Sequence, residues 1–365
     1  MKLADRMSRI DSSGIRKVFA LAADLENPCN LSIGQPDFDI PPELKEAAFE
    51  AIEKGQNRYT QTGGVSALKD KIREKLSSKL GIENDGILIT SGTSGGILLS
   101  FMTLFDPGDE VLVPDPYFVM YKHLLNLLGA VPVYVDTYPD FRLTPERLAA
   151  GLSDRTRAVL VNSPANPTGM VASKADFQAV ADFADANDLV VISDEIYDLF
   201  VYDNDFISMG DLYENTLLLG GFSKTYAMTG WRLGYAVGPP DLVAAMEDLQ
   251  QYTFVCAPSV GQAMGIAALD LDMRPYRESY QKKRDLIFEG LKDNFEVNRP
   301  GGAFYIFPEA PDGQGAKFCE EAIRNNLLVV PGNVFSERDT HFRISFAASD
   351  ETIKEGVEIL KRLGT

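Results

Sequence analysis

Lys224 is the one lysine in the stretch GGFSKTYAMTGWRLGYAVGP, residues 220–239. It follows the apolar run Thr216-Leu217-Leu218-Leu219, which reads as a buried strand. A lysine at the end of a buried strand is costly unless it is paired or used chemically. Other reactive side chains follow other apolar runs. Ser91-Gly92-Thr93-Ser94-Gly95-Gly96 comes after GILIT, and Asp115-Pro116-Tyr117-Phe118 after EVLVP. NSPANPTG, residues 162–169, comes after AVLV, and Asp194-Glu195-Ile196-Tyr197 after LVVIS. In open α/β sheets, ligands collect beyond the carboxyl ends of the strands. If these runs share one parallel sheet, one edge gathers a phosphate cradle, an aromatic pair, an amide, a carboxylate, a phenol and a lysine.

Each group alone has a blander reading. SGTSGG suits a phosphate on backbone N–H groups at a helix start, yet alone it is a plain helix cap. It is not GxGxxG, and GGFSKT departs from a P-loop because Ser223 stands where glycine would precede the lysine. Asp194 could be a cap, Tyr197 and Phe118 core residues, NPTG a turn, and Arg232 and Lys224 surface cations. Taken together, one ligand accounts for all of them. It carries a phosphate, an aromatic ring with a basic nitrogen, a phenolic oxygen and an aldehyde for an amine. Pyridoxal phosphate fits: the lysine bonds the aldehyde and a carboxylate keeps the pyridine nitrogen protonated.

The elements that would position these groups are legible between residues 86 and 240. Short apolar runs, at 86–90, 110–114, 131–135, 157–162, 189–193, 216–221 and 233–238, alternate with amphipathic stretches such as SKADFQAVADFADAND. Runs apolar at successive positions suit strands buried on both faces. The rhythm predicts an α/β fold: a mainly parallel central sheet sandwiched by helices. Helices are expected over 41–55 and 65–80. From about 275 a charged helix, GGAFYIFP, the helix GAKFCEEAIRNNL, LLVVPG, FRISFAAS and a last helix predict a smaller α+β domain. The expected boundaries are 1–40 for an N-terminal segment joining the small domain, 41–272 for the large domain and 273–365 for the small one.

Composition narrows the function classes. Net charge is −18, from 35 Lys and Arg against 53 Asp and Glu, which speaks against nucleic acid or anionic membranes as partners. No apolar run approaches a membrane span, and the first residues show no signal-peptide h-region, so a cytoplasmic protein is expected. Cys29, Cys256 and Cys319 lie far apart without zinc spacing, so reduced thiols are expected and no metal site. Only His123 and His341 occur, so histidine acid–base chemistry is not expected.

The ordered set LSIGQPDFDIPP, RYTQTGG, SGTSGG, DEVLVPDPYF, VNSPANPTG, ISDEIYDLFVYD, GGFSKTYAMTGWRLGYAVGP, PGGAFYIFP and FRISFAAS spans nearly the whole chain. It resembles the class I/II aminotransferases of the fold-type I pyridoxal phosphate enzymes, in particular the aspartate and aromatic aminotransferases. The resemblance implies that Lys224 holds the cofactor covalently and moves the proton. It implies that Asp194 pairs with the ring nitrogen, that Tyr197 and Asn166 hydrogen-bond the ring's 3-oxygen, and that Phe118 stacks on the ring. Gly92, Thr93 and Ser94 would bind phosphate, helped by Ser223 and Arg232. Tyr59 would reach the phosphate of a partner subunit, which implies a homodimer. Arg343 would clamp the substrate carboxylate, with Gly34 and Asn166 beside it. The implied reaction moves an amino group from an L-amino acid to a 2-oxo acid with ping-pong kinetics.

Aspartate-preferring members of this group often carry lysine where Ser94 stands. The aromatic residues Phe118, Tyr117 and Phe38 are expected to flank the site, which suits a bulky or apolar side chain. Three other readings stay open from sequence: a carbon–sulfur β-lyase of the same fold, another fold-type I branch such as a decarboxylase or a cyclising synthase, and a catalytically silent cofactor-binding protein.

Overall fold

A computed structural model describes residues 2–10, 25–76 and 86–364. Its centre is a seven-stranded sheet. The strands are β2 (Gly86–Ser91), β3 (Glu110–Asp115), β4 (Val131–Asp136), β5 (Thr156–Asn162), β6 (Val190–Asp194), β7 (Thr216–Gly221) and β8 (Leu233–Gly238). Their order is β2-β8-β7-β6-β5-β3-β4, parallel except for β8, which runs against both of its neighbours. Every run anticipated from sequence is one of these strands.

The reason lies in the alternation of buried residues. Val111, Val113, Ala158, Leu160, Ile192, Leu217 and Leu219 face one helix layer. Leu112, Val159, Val161 and Val191, and beside them Leu218, face the other. Successive side chains of a strand point to opposite faces, so runs with no polar break require cover on both. That cover comes from helices joining the strands, among them α3 (Gly92–Leu104), α4 (Val119–Leu128), α6 (Lys174–Ala186) and α7 (Pro240–Thr253). Local signals set their ends. Ser173 and Asp176 close a capping box at the start of α6, and Gly129 ends α4 in the left-handed conformation with φ 87°.

The helix expected over 41–55 is α1, Pro42–Glu53. The helix expected over 65–80 is α2, Ser66–Leu76, and the remainder of that range lies outside the described residues. The last third of the chain forms α9 (Arg274–Leu291), α10 (Gly315–Arg324), α11 (Asp350–Leu363) and short strands. Among these, β9 (Tyr305–Ile306), β11 (Val330–Pro331) and β12 (Phe342–Ser345) make a three-stranded antiparallel sheet. A two-residue strand β1 (Cys29–Asn30) pairs in parallel with β10 (Leu327–Leu328). LLVVPG thus contributes two short strands to two sheets. Leu31, Ile287, Phe304, Phe342, Ile344 and Leu360 share a core with Tyr197 and Phe200 from the loop after β6. Residues Asp5–Arg9, a short 3-10 helix, lie against α4.

Candidate active site

Strand register brings the predicted groups together. Asn162 and Asp194 are paired neighbours at the ends of β5 and β6, and Asp194 pairs with Leu219 of β7, five residues before Lys224. Because β8 is antiparallel, Ser91 at the end of β2 sits opposite Leu233 at the start of β8. Arg232, just before β8, therefore reaches the same edge as Gly92, just after β2. A cavity of about 330 Å³ opens there.

Asp194 is 4% exposed. The Tyr121 hydroxyl donates to its Oδ2 at 2.6 Å, and the Ile196 backbone N–H to its Oδ1 at 3.2 Å. Burial pushes its carboxyl up to about 6, against the pull of Tyr121, the Ile196 N–H and the Lys224 charge. Asn162 holds the corner: its Nδ2 donates to the Asp194 carbonyl at 2.9 Å and its Oδ1 accepts from the Asn166 N–H at 2.9 Å.

Lys224 Nζ donates to the Gly34 carbonyl at 2.7 Å. Burial, then the positive charges of Arg343 and Arg232, bring its amine down to about 8, with Asp194 opposing. An amine near 8 is a usable base and nucleophile at neutral pH.

One end of the cavity is a helix start. Ser91 makes no side-chain cap, so the first N–H groups of α3 are left to other partners. Gly92 has φ +71°, and a Cβ there would lie 2.5 Å from Arg232 Nη2. A Cβ on Gly234 would lie 2.5 Å from the carbonyl carbon of Gly92 and the nitrogen of Thr93. Two absent side chains therefore make room for a guanidinium against a helix N-terminus, a match for a phosphate. Thr93 and Ser94 line the cavity here with Ser223. The Thr93 hydroxyl is spent on the Gly220 carbonyl at 3.0 Å.

Arg343, on β12, is 2% exposed. Its Nη1 donates to Asn166 Oδ1 and its Nη2 to the Ser32 carbonyl, both at 3.0 Å. The rings of Tyr305 and Phe335 lie 4.5 Å from its guanidinium carbon. Its buried Nε has no hydrogen-bond partner among the described residues. A buried guanidinium with a spare donor suits a carboxylate.

Gly34, Phe118 and Tyr197 complete the predicted set along the cavity wall. Tyr59 does not line the cavity of its own chain and is 83% exposed. Tyr117 and Phe38 also lie away from it. Tyr117 hydrogen-bonds Glu337 at 2.7 Å and stacks on Tyr134, while Phe38 packs on Tyr276. Phe118 alone of the three expected aromatic residues faces the site. His341 stacks on Phe307, and burial holds its imidazole down at about 4.

Sequence reasoning missed three contributors. Tyr121 stands one helical turn after Phe118, Asn162 opens a quoted motif, and Tyr305 lies inside GGAFYIFP. Their positions were visible, but nothing local says that their polar tips turn toward Asp194, Asn166 and Tyr197.

The donor set fits pyridoxal phosphate: a cradle shaped by two missing Cβ atoms, a buried carboxylate short of a cation, and a lysine of depressed basicity. An open α/β sheet with these groups at its carboxyl edge defines a fold-type I pyridoxal phosphate enzyme. Residues 26–360 match the family model for aminotransferase class I and II. A probable aspartate aminotransferase of Methanocaldococcus jannaschii is 37% identical, with 99% of each chain covered. The aromatic-amino-acid aminotransferase 2 of Thermococcus litoralis is 38% identical, covering 100% of this chain and 98% of its own. Among solved structures, a double mutant of Thermus thermophilus aspartate aminotransferase superposes with TM-score 0.95 at 33% identity, with 100% of each chain covered. The chain belongs to the class I and II aminotransferases. It is a pyridoxal phosphate-dependent transaminase that moves an amino group from an amino acid to a 2-oxo acid in a ping-pong reaction.

Proposed function

We propose that the cavity divides the transamination among the residues named above, with a substrate whose side chain is neutral and bulky. Pyridoxal phosphate, when bound, supplies an aldehyde for the amino group and a ring that accepts electrons from the substrate Cα. Lys224 holds the cofactor at rest, and once free its Nζ takes the proton from the substrate Cα. Asp194 keeps the ring nitrogen protonated, and Tyr121 and the Ile196 N–H orient it. Tyr197 and Asn166 donate to the ring's 3-oxygen, and Phe118 covers the ring face. Gly92, Thr93, Ser94, Ser223 and Arg232 take the phosphate. Arg343 takes the substrate carboxylate through Nε, with Asn166 and Gly34 beside it. The observation that carries this reading is the buried Arg343 with an unpartnered Nε in the same cavity as a lysine brought down to about 8.

The neutral side chain is supported by the walls. Besides Lys224, Arg232 and Arg343, the described lining has no cation, and Ile33, Ile97, Phe118 and Ser94 stand there. We further propose a cytoplasmic homodimer in which Tyr59 reaches the partner's phosphate. The support is that Tyr59 is 83% exposed, and Phe49 and Tyr252 are likewise large apolar side chains left exposed. A large domain over 41–272 and a small one over 273–365 complete the proposal; the N-terminal segment joins the small one through the pairing of Cys29 and Asn30 with β10, while its Asp5–Arg9 helix lies against α4 of the large one.

The test is to add amino acids singly, without any oxo acid, to the purified cofactor-bound protein. Loss of the visible band with stoichiometric release of a 2-oxo acid is expected, fastest with aromatic or large aliphatic donors. Fastest reaction with aspartate would refute the side-chain assignment. A persistent band with accumulating pyruvate and ammonia would refute the division of roles.

A further inference from the structure

Tyr305 touches both halves of the site. It sits on β9, 1% exposed, paired with Ser345 on the same strand as Arg343. Its hydroxyl lies 3.0 Å from the Tyr197 hydroxyl. Its ring lies under the Arg343 guanidinium. Its hydroxyl also fills the place of a side chain at Gly34, where a Cβ would come within 2.8 Å.

We propose that Tyr305 is a positioning residue that fixes the direction of the Tyr197 hydroxyl and so links the cofactor's ring oxygen to the carboxylate clamp. A phenol has one hydrogen to donate. If Tyr197 gives its hydrogen to the 3-oxygen, it can only accept at Tyr305, so Tyr305 must be the donor between the two. Accepting a hydrogen bond strengthens the donation that Tyr197 makes in turn. Burial keeps both phenols protonated, against the pull of the Arg343 charge on each. The chain Arg343, Tyr305, Tyr197 runs from the small antiparallel sheet to the loop after β6, so the substrate's clamp and the cofactor's oxygen share one rigid support.

The inference rests on the assignment of Tyr197 to the 3-oxygen, and the test separates the two. The pH midpoint of the visible absorbance change is measured on the cofactor-bound protein without substrate. The charged groups facing the cofactor, Lys224 after β7, Arg343 on β12, Arg232 before β8 and Asp194 on β6, are the same in every variant compared. Tyr197→Phe is expected to raise the midpoint by about one to two pH units, the loss of a charge-assisted hydrogen bond. Tyr305→Phe keeps the ring on Arg343 and is expected to raise it by roughly 0.1 to 0.6 of a pH unit, the cooperative fraction. The double variant is expected to match Tyr197→Phe. Tyr305→Leu, which also strips the ring from Arg343, is expected to add a rise in the amino acid KM of roughly five-fold. A Tyr305→Phe midpoint equal to that of the unaltered protein overturns the inference while Tyr197→Phe still shifts. So does a double variant that shifts beyond Tyr197→Phe. An unmoved midpoint in Tyr197→Phe overturns the assignment of Tyr197 itself.

Discussion

Asp194→Asn is expected to have opposite effects on the empty and the loaded protein. Without the cofactor, burial pushes the carboxyl up to about 6 from an ordinary 3.8 by penalising its charge. A folded-state value raised above the unfolded one contributes stability below the unfolded value and loses it as pH rises through the folded one. The separation of about 2.2 pH units corresponds to about 3 kcal/mol of stability, about half of it lost at pH 5 and all of it by pH 8. Asparagine carries no charge; its Oδ1 can accept from the Ile196 N–H while its Nδ2 donates to the Tyr121 oxygen. The cofactor-free Asn variant should therefore gain stability over its parent, and that gain should grow by about 1.4 kcal/mol from pH 5 to pH 8. Urea unfolding of both cofactor-free proteins at the two pH values reads the difference directly. With cofactor bound the sign reverses, because the same carboxylate then faces a ring cation. Loss of a buried charge partner costs about 2–5 kcal/mol, so cofactor affinity or turnover is expected to fall at least about thirty-fold. A stability gap that ignores pH, or an Asn variant less stable than its parent at pH 8, would mean that the protein already satisfies the charge. The reasoning would then fail.

Lys224→Ala is expected to abolish the visible band of the lysine-bound cofactor and to lower transamination by orders of magnitude; normal turnover without an added amine would refute its role. Arg343→Ala is expected to raise the amino acid KM by roughly thirty-fold or more, since a buried carboxylate would lose its cation, and steady-state kinetics with an unchanged KM would remove Arg343 from the substrate site. Gly234→Ala places a methyl against the backbone of Gly92 and Thr93. It is expected to weaken cofactor binding, measured by equilibrium dialysis, with inorganic phosphate inhibiting reloading less than in the parent.

Much of this was legible along the chain because it depends on local pattern. Unbroken apolar runs require two covered faces, so seven strands and the helices between them follow from period and punctuation. Lys224 and Asp194 stood out because a charge at the end of such a run needs a reason, whereas Arg343 was named only through the family resemblance. Tertiary structure alone decided how strands separated by long stretches lie side by side. The antiparallel placement of β8 is a pairing choice with no local signature, yet it delivers Arg232 to Gly92. It also explains the glycine at 234, whose side chain would occupy the backbone at the start of α3. Tyr121, Asn162 and Tyr305 have the composition of ordinary core and turn residues. Only the packing of α4 on β6, and of the small sheet on the loop after it, aims their polar atoms. Tyr117 and Phe38 illustrate the converse. Their residue types suited a site wall, but side-chain direction is set by neighbours in space, and these turned Tyr117 to Glu337 and Phe38 to Tyr276. The sequence by itself determined which groups could do chemistry and which strands carry them. The fold determined which of those groups meet, because hydrogen bonds and ion pairs depend on distances that the order of residues does not specify.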